Sequence, residues 1–221
     1  WEGRSVMRKK VLLLIFLVSL LLTACEKGEY EEVVFQDEVI TDRQIQIYKQ
    51  RNRAEIIAKY QKDGEQIDES FWGKEIENKK TVKELLMDKA LRDCLYDQAI
   101  LCEAEKHGLI EDASFSEIEN ALETVNQSNK TERLIYGNKF YTLDTYVTYY
   151  LNNLTRELID VLSEDELYFT NEELAKYCKE NEVIEKNDKI KTYEEYRFQY
   201  KNILFRQYIT EVVENAMELP V

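Results

Sequence analysis

Side chains able to do covalent or acid–base work are few in this sequence. It holds one histidine, His107, and four cysteines, Cys25, Cys94, Cys102 and Cys178. A nucleophilic triad needs a histidine beside a serine or cysteine and a carboxylate to orient it. His107 instead stands in Lys106-His107-Gly108, a helix-end pattern with cations for the dipole and glycine for the left-handed cap. Cys94 and Cys102 would lie about 12 Å apart along one helix, beyond the roughly 7 Å reach of a disulfide. With Cys25 set aside the thiols are odd in number, which argues against a disulfide framework, and they read as small core residues. The acid pairs Glu172-Glu173 and Glu194-Glu195 diverge by about 100° on a helix and suit solvated N-terminal turns. Glycine is too sparse for a phosphate-cradling loop. The expectation is therefore no catalytic residue, no metal, no cofactor and no small-molecule substrate: not an enzyme.

Cys25 is different because of what precedes it. From Met7 the chain reads Arg8-Lys9-Lys10, then an apolar run from Val11 to Leu22, then Thr23-Ala24-Cys25. A basic start, a short apolar helix and small residues at a cut are the three parts of an export signal. The run of about 12 residues would make roughly 18 Å of helix, short of the ~20 residues that span a bilayer. Leu22-Thr23-Ala24-Cys25 resembles the lipobox of bacterial lipoprotein precursors, which implies that the Cys25 sulfur is acylated through a thioether and that the chain is cut just before it. The expected organisation is a signal peptide over 1–24 (1–6 extraneous to it), a lipidated tether over 25–31 and a single helical domain over 32–221.

The chain carries 30 basic and 44 acidic residues, a formal charge of −14. Removing 1–24 takes away Arg4, Arg8, Lys9 and Lys10 against one acid, Glu2, leaving the remainder more acidic still. Nucleic acid and anionic lipid heads repel such a surface. Six glycines and one proline in 221 residues are too few for a turn-rich β fold, and apolar spacing at three and four predicts a mainly α protein.

The elements follow from that spacing. Val33-Val34-Phe35 and Val39-Ile40 predict a small hairpin or one bent strand. Thr41 or Asp42 opens a helix to about Gln61, and a polar loop runs to Phe71-Trp72. Thr81 and Glu84 form a capping-box pattern at the head of the strongest helix, which closes at Gly108. Further helices are expected at about 114–126, 142–162, 171–181 and 192–217, the last a long one. Aromatic residues crowd two of them. Phe140, Tyr141, Tyr146, Tyr149 and Tyr150 form one group, and Tyr193, Tyr196, Phe198, Tyr200, Phe205 and Tyr208 the other. Tyrosine offers large contact area at low rotamer cost with a water-tolerant tip. Trp72, Tyr146, Tyr149, Tyr150, Tyr196 and Tyr200 are accordingly the candidate binding residues, against the plainer reading that they are helix–helix core.

From Val33 onward the order of pieces resembles the N-terminal chaperone region of extracytoplasmic foldases of the PrsA and SurA type. The residues carrying it are Phe35-Gln36-Asp37-Glu38-Val39-Ile40-Thr41, with Gln36-Asp37 at the family's Asn-Gly turn. Trp72, Lys80-Thr81-Val82-Lys83-Glu84 and Ala104-Glu105-Lys106-His107-Gly108 follow. Phe169-Thr170-Asn171-Glu172-Glu173-Leu174-Ala175-Lys176-Tyr177 and Thr192-Tyr193-Glu194-Glu195-Tyr196 complete it. The resemblance implies a helical fold like those of SurA, PrsA and trigger factor, with a short N-terminal strand or hairpin and a long C-terminal helix packing back. In isomerase-bearing relatives a parvulin domain, using paired histidines, sits between the last two helices. Only 182–191 occupy that gap here, and a single histidine is present.

Together these readings lead to an expectation of a lipid-anchored holding chaperone on the outer face of the cytoplasmic membrane of a Gram-positive bacterium. Its partners would be unfolded or partly folded secreted proteins, with the membrane met through the lipid. A non-catalytic adapter for one folded partner and a divergent prolyl isomerase are the alternatives.

Overall fold

Two tight hairpins and seven helices make up the described residues, which in this computed structural model are 33–131, 138–162, 166–180 and 193–218. The expected signal peptide over 1–24, Cys25, the expected tether over 25–31 and the 182–191 gap lie outside them. β1 (Val33–Phe35) pairs antiparallel with β2 (Glu38–Ile40), Phe35 opposite Glu38. The two-residue turn places Gln36 at φ 48° and Asp37 at φ 72°, the left-handed pair that matches hairpin twist. Phe35 and Ile40 point into the main core.

Thr41 then caps α1 (Asp42–Tyr60). Its hydroxyl accepts from the Gln44 amide while the Gln44 side chain accepts from the Thr41 amide. A short α2 (Glu69–Trp72), capped by Asp68, and a second hairpin, β3 (Glu75–Glu77) with β4 (Lys80–Thr81), fill what the apolar spacing presents as loop. The difference is instructive. Asn78 and Lys79 take the left-handed turn, so this hairpin lacks the glycine that usually announces one. Phe71, Val82, Leu86 and Ile56 close a small second core beneath it.

α3 (Val82–Lys106) is the central element. Thr81 and Glu84 form the expected capping box. At its far end Gly108 takes φ 71°, Leu109 N–H donates to Ala104 O at 2.9 Å and Gly108 N–H to Glu105 O at 2.9 Å. This is the paired 6→1 and 5→2 closure of a left-handed cap. Ala90, Cys94, Ala99 and Ala104 are fully covered; their small side chains let α1 and two later helices approach the same helix closely.

α4 (Phe115–Thr131) runs five residues past its expected end at Asn126. α5 (Leu143–Leu162), α6 (Asn171–Glu180) and α7 (Tyr193–Glu218) fall within one residue of expectation. α7 packs back on α3 and α5, and α6 lies along α7. Leu158, Leu162, Phe205 and Ile209 are fully or almost fully covered where these helices meet α3. Among the described residues no helix is long and apolar enough to cross a membrane.

Candidate functional site

The two aromatic groups fold into different kinds of surface. At the head of α5, Tyr141, Tyr146, Tyr149 and Tyr150 cluster with ring centroids 5.4–6.1 Å apart. α4 holds the group in place: the Asn126 amide donates to Tyr141 O and accepts from Tyr141 N–H, both at 2.9 Å. Tyr146 faces inward at 4% exposure, Tyr150 is half-buried and Tyr149 remains 50% exposed. In the second group Tyr200 stacks on Tyr177 at 4.9 Å and meets Phe169 edge-on at 5.2 Å. Tyr196 is 4% exposed. These rings join α6 to α7.

Tyr146 and Tyr196 therefore leave the set of surface rings, because each lies beneath a neighbouring helix. Trp72 is half-buried over the second core, edge-on to Phe71 at 5.0 Å with the Arg53 guanidinium 4.4 Å from its ring centre. Of the six candidates Tyr149 alone is openly exposed. Among the described residues the other exposed rings are Tyr168, Phe198 and Phe140. Spacing at three and four marks a shared helix face, but does not say which face a neighbouring helix covers.

Phe198 identifies the more informative feature. Between α5 and α7 lies a concavity of about 430 Å³, floored by Ile159 and rimmed by Phe198. It adjoins a second of about 290 Å³ that reaches down to Asp97 and Phe205, and a third of about 400 Å³ on the α6 side of α7. Asn202 lines all three. Across them stand five cations, Arg51, Arg156, Arg197, Lys201 and Arg206, against three carboxylates, Asp97, Asp160 and Glu194. The cleft is thus locally basic in a chain of formal charge −14. Arg197 and Lys201 are four apart on α7, so they share one face. Among the described residues no ion pair engages Arg156, Lys201 or Arg206, whereas Arg43, Lys59, Lys74, Lys80 and Lys89 each meet a carboxylate.

Arg51 closes one end of the cleft. Its Nε donates to Asp144 Oδ1 at 2.6 Å, and its terminal nitrogen donates to Asp144 O and Thr148 Oγ1, both at 2.8 Å. It thereby ties α1 to the first turn of α5. Beside it Tyr48 donates to Asp97 Oδ2 at 2.7 Å. Burial outweighs this hydrogen bond and the nearby guanidinium, and pushes the Asp97 carboxyl up to about 6.

Cys94 and Cys102 are buried, and His107 Nε2 is a buried nitrogen with no hydrogen-bond partner among the described residues. Burial pushes the Cys94 thiol up to about 12 and the Cys102 thiol to about 11, so neither is a ready nucleophile. His107 Nε2 lies 3.7 Å from Glu103 and 3.6 Å from Glu166, and Tyr208 donates to Glu103 at 2.6 Å. Tyr208 joins the end of α3 to α7, while Glu166 belongs to the connection between α5 and α6. Among the described residues no group of three or more histidine, cysteine, aspartate or glutamate side chains is arranged to hold a metal.

Compared with known proteins, the chain matches no family model, no curated protein and no solved structure.

Proposed function

We propose that this chain is a holding chaperone of the extracytoplasmic space, anchored by lipid at Cys25 to the outer face of the cytoplasmic membrane, without enzymatic activity. The observation that carries the reading is the open cleft between α5 and α7, with Phe198 on its rim and exposed rings elsewhere on the surface. An unfolded segment brings two needs to such a surface. Its apolar side chains need cover from water, which Ile159 and Phe198 provide. Its backbone N–H and C=O groups need partners whatever the sequence, and Asn152, Thr155 and Asn202 line the cleft with amide and hydroxyl groups. Sequence-tolerant, weak holding follows from that mixture.

The PrsA/SurA-type fold is part of the same proposal. An N-terminal hairpin leading into a capped helix, and a long last helix packed back on α3, agree with the order of pieces that carries the resemblance. The part of the proposal without an isomerase is supported by the sequence, where one histidine is present and only ten residues, 182–191, stand between the last two expected helices.

Aggregation suppression tests this reading. Residues 25–221 with Cys25→Ser would be titrated against a reduced, unfolding client at several molar ratios. Dose-dependent suppression is expected. None at stoichiometric amounts, with a pull-down yielding one stoichiometric protein, would replace the holding role with that of an adapter.

A further inference from the structure

We infer that the α5–α7 cleft selects acidic segments: an extended stretch of client with aspartate or glutamate beside an apolar residue. The inference rests on the holding-chaperone reading and names the client class it serves. The whole-chain charge points the other way, since a protein of formal charge −14 attracts basic partners at long range. Range decides between the two. At physiological salt the field of distant surface charges decays over about 8 Å, so a segment inside the cleft meets chiefly the groups lining it. There, with Arg51 already held by Asp144, four cations face three carboxylates.

The geometry suits a short extended stretch. The α7 residues lining the main concavity run from Glu194 to Asn202, about 12 Å at 1.5 Å per residue, the length of roughly four residues of extended chain. Arg197 and Lys201 stand one turn apart within it, Arg156 lines the same concavity from α5, and Arg206, half a turn round α7 from Arg197, lines the adjoining ones. Phe198 and Ile159 offer apolar contact between the cations. Arg156 and Arg206 are exposed and Lys201 is half-exposed; with no ion pair to any described carboxylate, they need not break one to receive a client. A carboxylate gains charge-assisted hydrogen bonds from an arginine, two at once in the best geometry. A basic segment meets like charge at the same positions.

Peptide binding separates this inference from the reading beneath it. Three fluorescent peptides of roughly twelve residues, sharing the same apolar residues and differing only in acidic, neutral or basic intervening positions, would be titrated against residues 25–221 with Cys25→Ser. The acidic peptide is expected to bind about tenfold more tightly than the basic one at low salt, converging at high salt. Arg156→Glu with Lys201→Glu should reverse the order while circular dichroism stays unchanged. Arg156→Gln with Lys201→Gln should remove the preference and keep binding of the neutral peptide. Equal binding of all three, or a preference the glutamate variants leave intact, overturns the inference and leaves the chaperone reading standing if aggregation is still suppressed. Dimerisation at working concentration that the glutamate variants abolish would assign the cleft to a second copy and overturn it too. No peptide binding and no suppression would remove both.

Discussion

The α1–α3 seam and the α5–α7 cleft are both built from polar residues on helices, and they come out as opposites. In the seam every buried polar group meets a partner at a fixed height. Gln44 donates to Gln98 at 3.1 Å, Tyr48 to Asp97 at 2.7 Å and Asn52 to Asp93 at 2.7 Å. Positions 44, 48 and 52 descend α1 by one turn each as 98, 97 and 93 run the opposite way along α3. Gln98 passes the ladder on, donating to Ala113 O at 2.8 Å. In the cleft Asn202 is engaged by Phe198 O and Arg51 by Asp144, but Arg156, Lys201 and Arg206 meet no carboxylate among the described residues. A satisfied polar group contributes to holding a fold; an accessible unsatisfied one is available to a ligand.

The sharpest way to break the contrast is in the seam. Gln98→Ala leaves Gln44 and Ala113 O buried without their partner, and should lower unfolding free energy by about 2–4 kcal/mol in a denaturant titration. Next comes Asp97. Its carboxyl titrates near 6 in the fold, above the ordinary 3.8. The folded state therefore binds more protons than the unfolded one between those values, and stability falls as pH rises through that window. Asp97→Asn should flatten that slope and raise stability at neutral pH by about 1–2 kcal/mol. Urea midpoints measured from pH 4 to pH 7 would show it.

Changes in the cleft should do the reverse, touching binding and leaving the fold alone. Phe198→Ala is expected to weaken aggregation suppression several-fold while shifting stability by no more than about 0.5 kcal/mol, since the ring is 59% exposed. The smallest stability change belongs to Arg156→Gln with Lys201→Gln, again within about 0.5 kcal/mol. A large loss of stability in either would mean that the cleft is structural after all.

Much of the fold was legible because local rules carried it. Thr81 with Glu84, and Gly108 after Lys106, mark both ends of α3, and α5 is framed by its apolar period. Glu69–Trp72 and the Asn78-Lys79 hairpin were not, because one is a single turn and the other lacks glycine. The seam was invisible for a different reason. Gln44, Asn52 and Gln98 are polar residues that period counting assigns to the solvent side, and only a facing helix turns them inward. The candidate site was partly legible. Aromatic residues on the first turns of α5 and α7 stand out in sequence, but Tyr146 and Tyr149 sit three apart on one face and differ in exposure from 4% to 50%. The basic spacing of Arg197 and Lys201 was a signal that the acidity of the whole chain obscured.

The rungs between α1 and α3 also work as a key. Helices joined by aliphatic side chains alone can slide a turn and still find apolar contact. Moving α1 by one turn, about 5.4 Å, would take Gln44, Tyr48 and Asn52 away from their acceptors together and strand Gln98, Asp97 and Asp93. Because Arg51 reaches from the same helix to Asp144 and Thr148, that locked alignment extends to the head of α5. One wall of the cleft is therefore indexed to the rest of the molecule, so any force that pries at the opening pushes against a fixed stop.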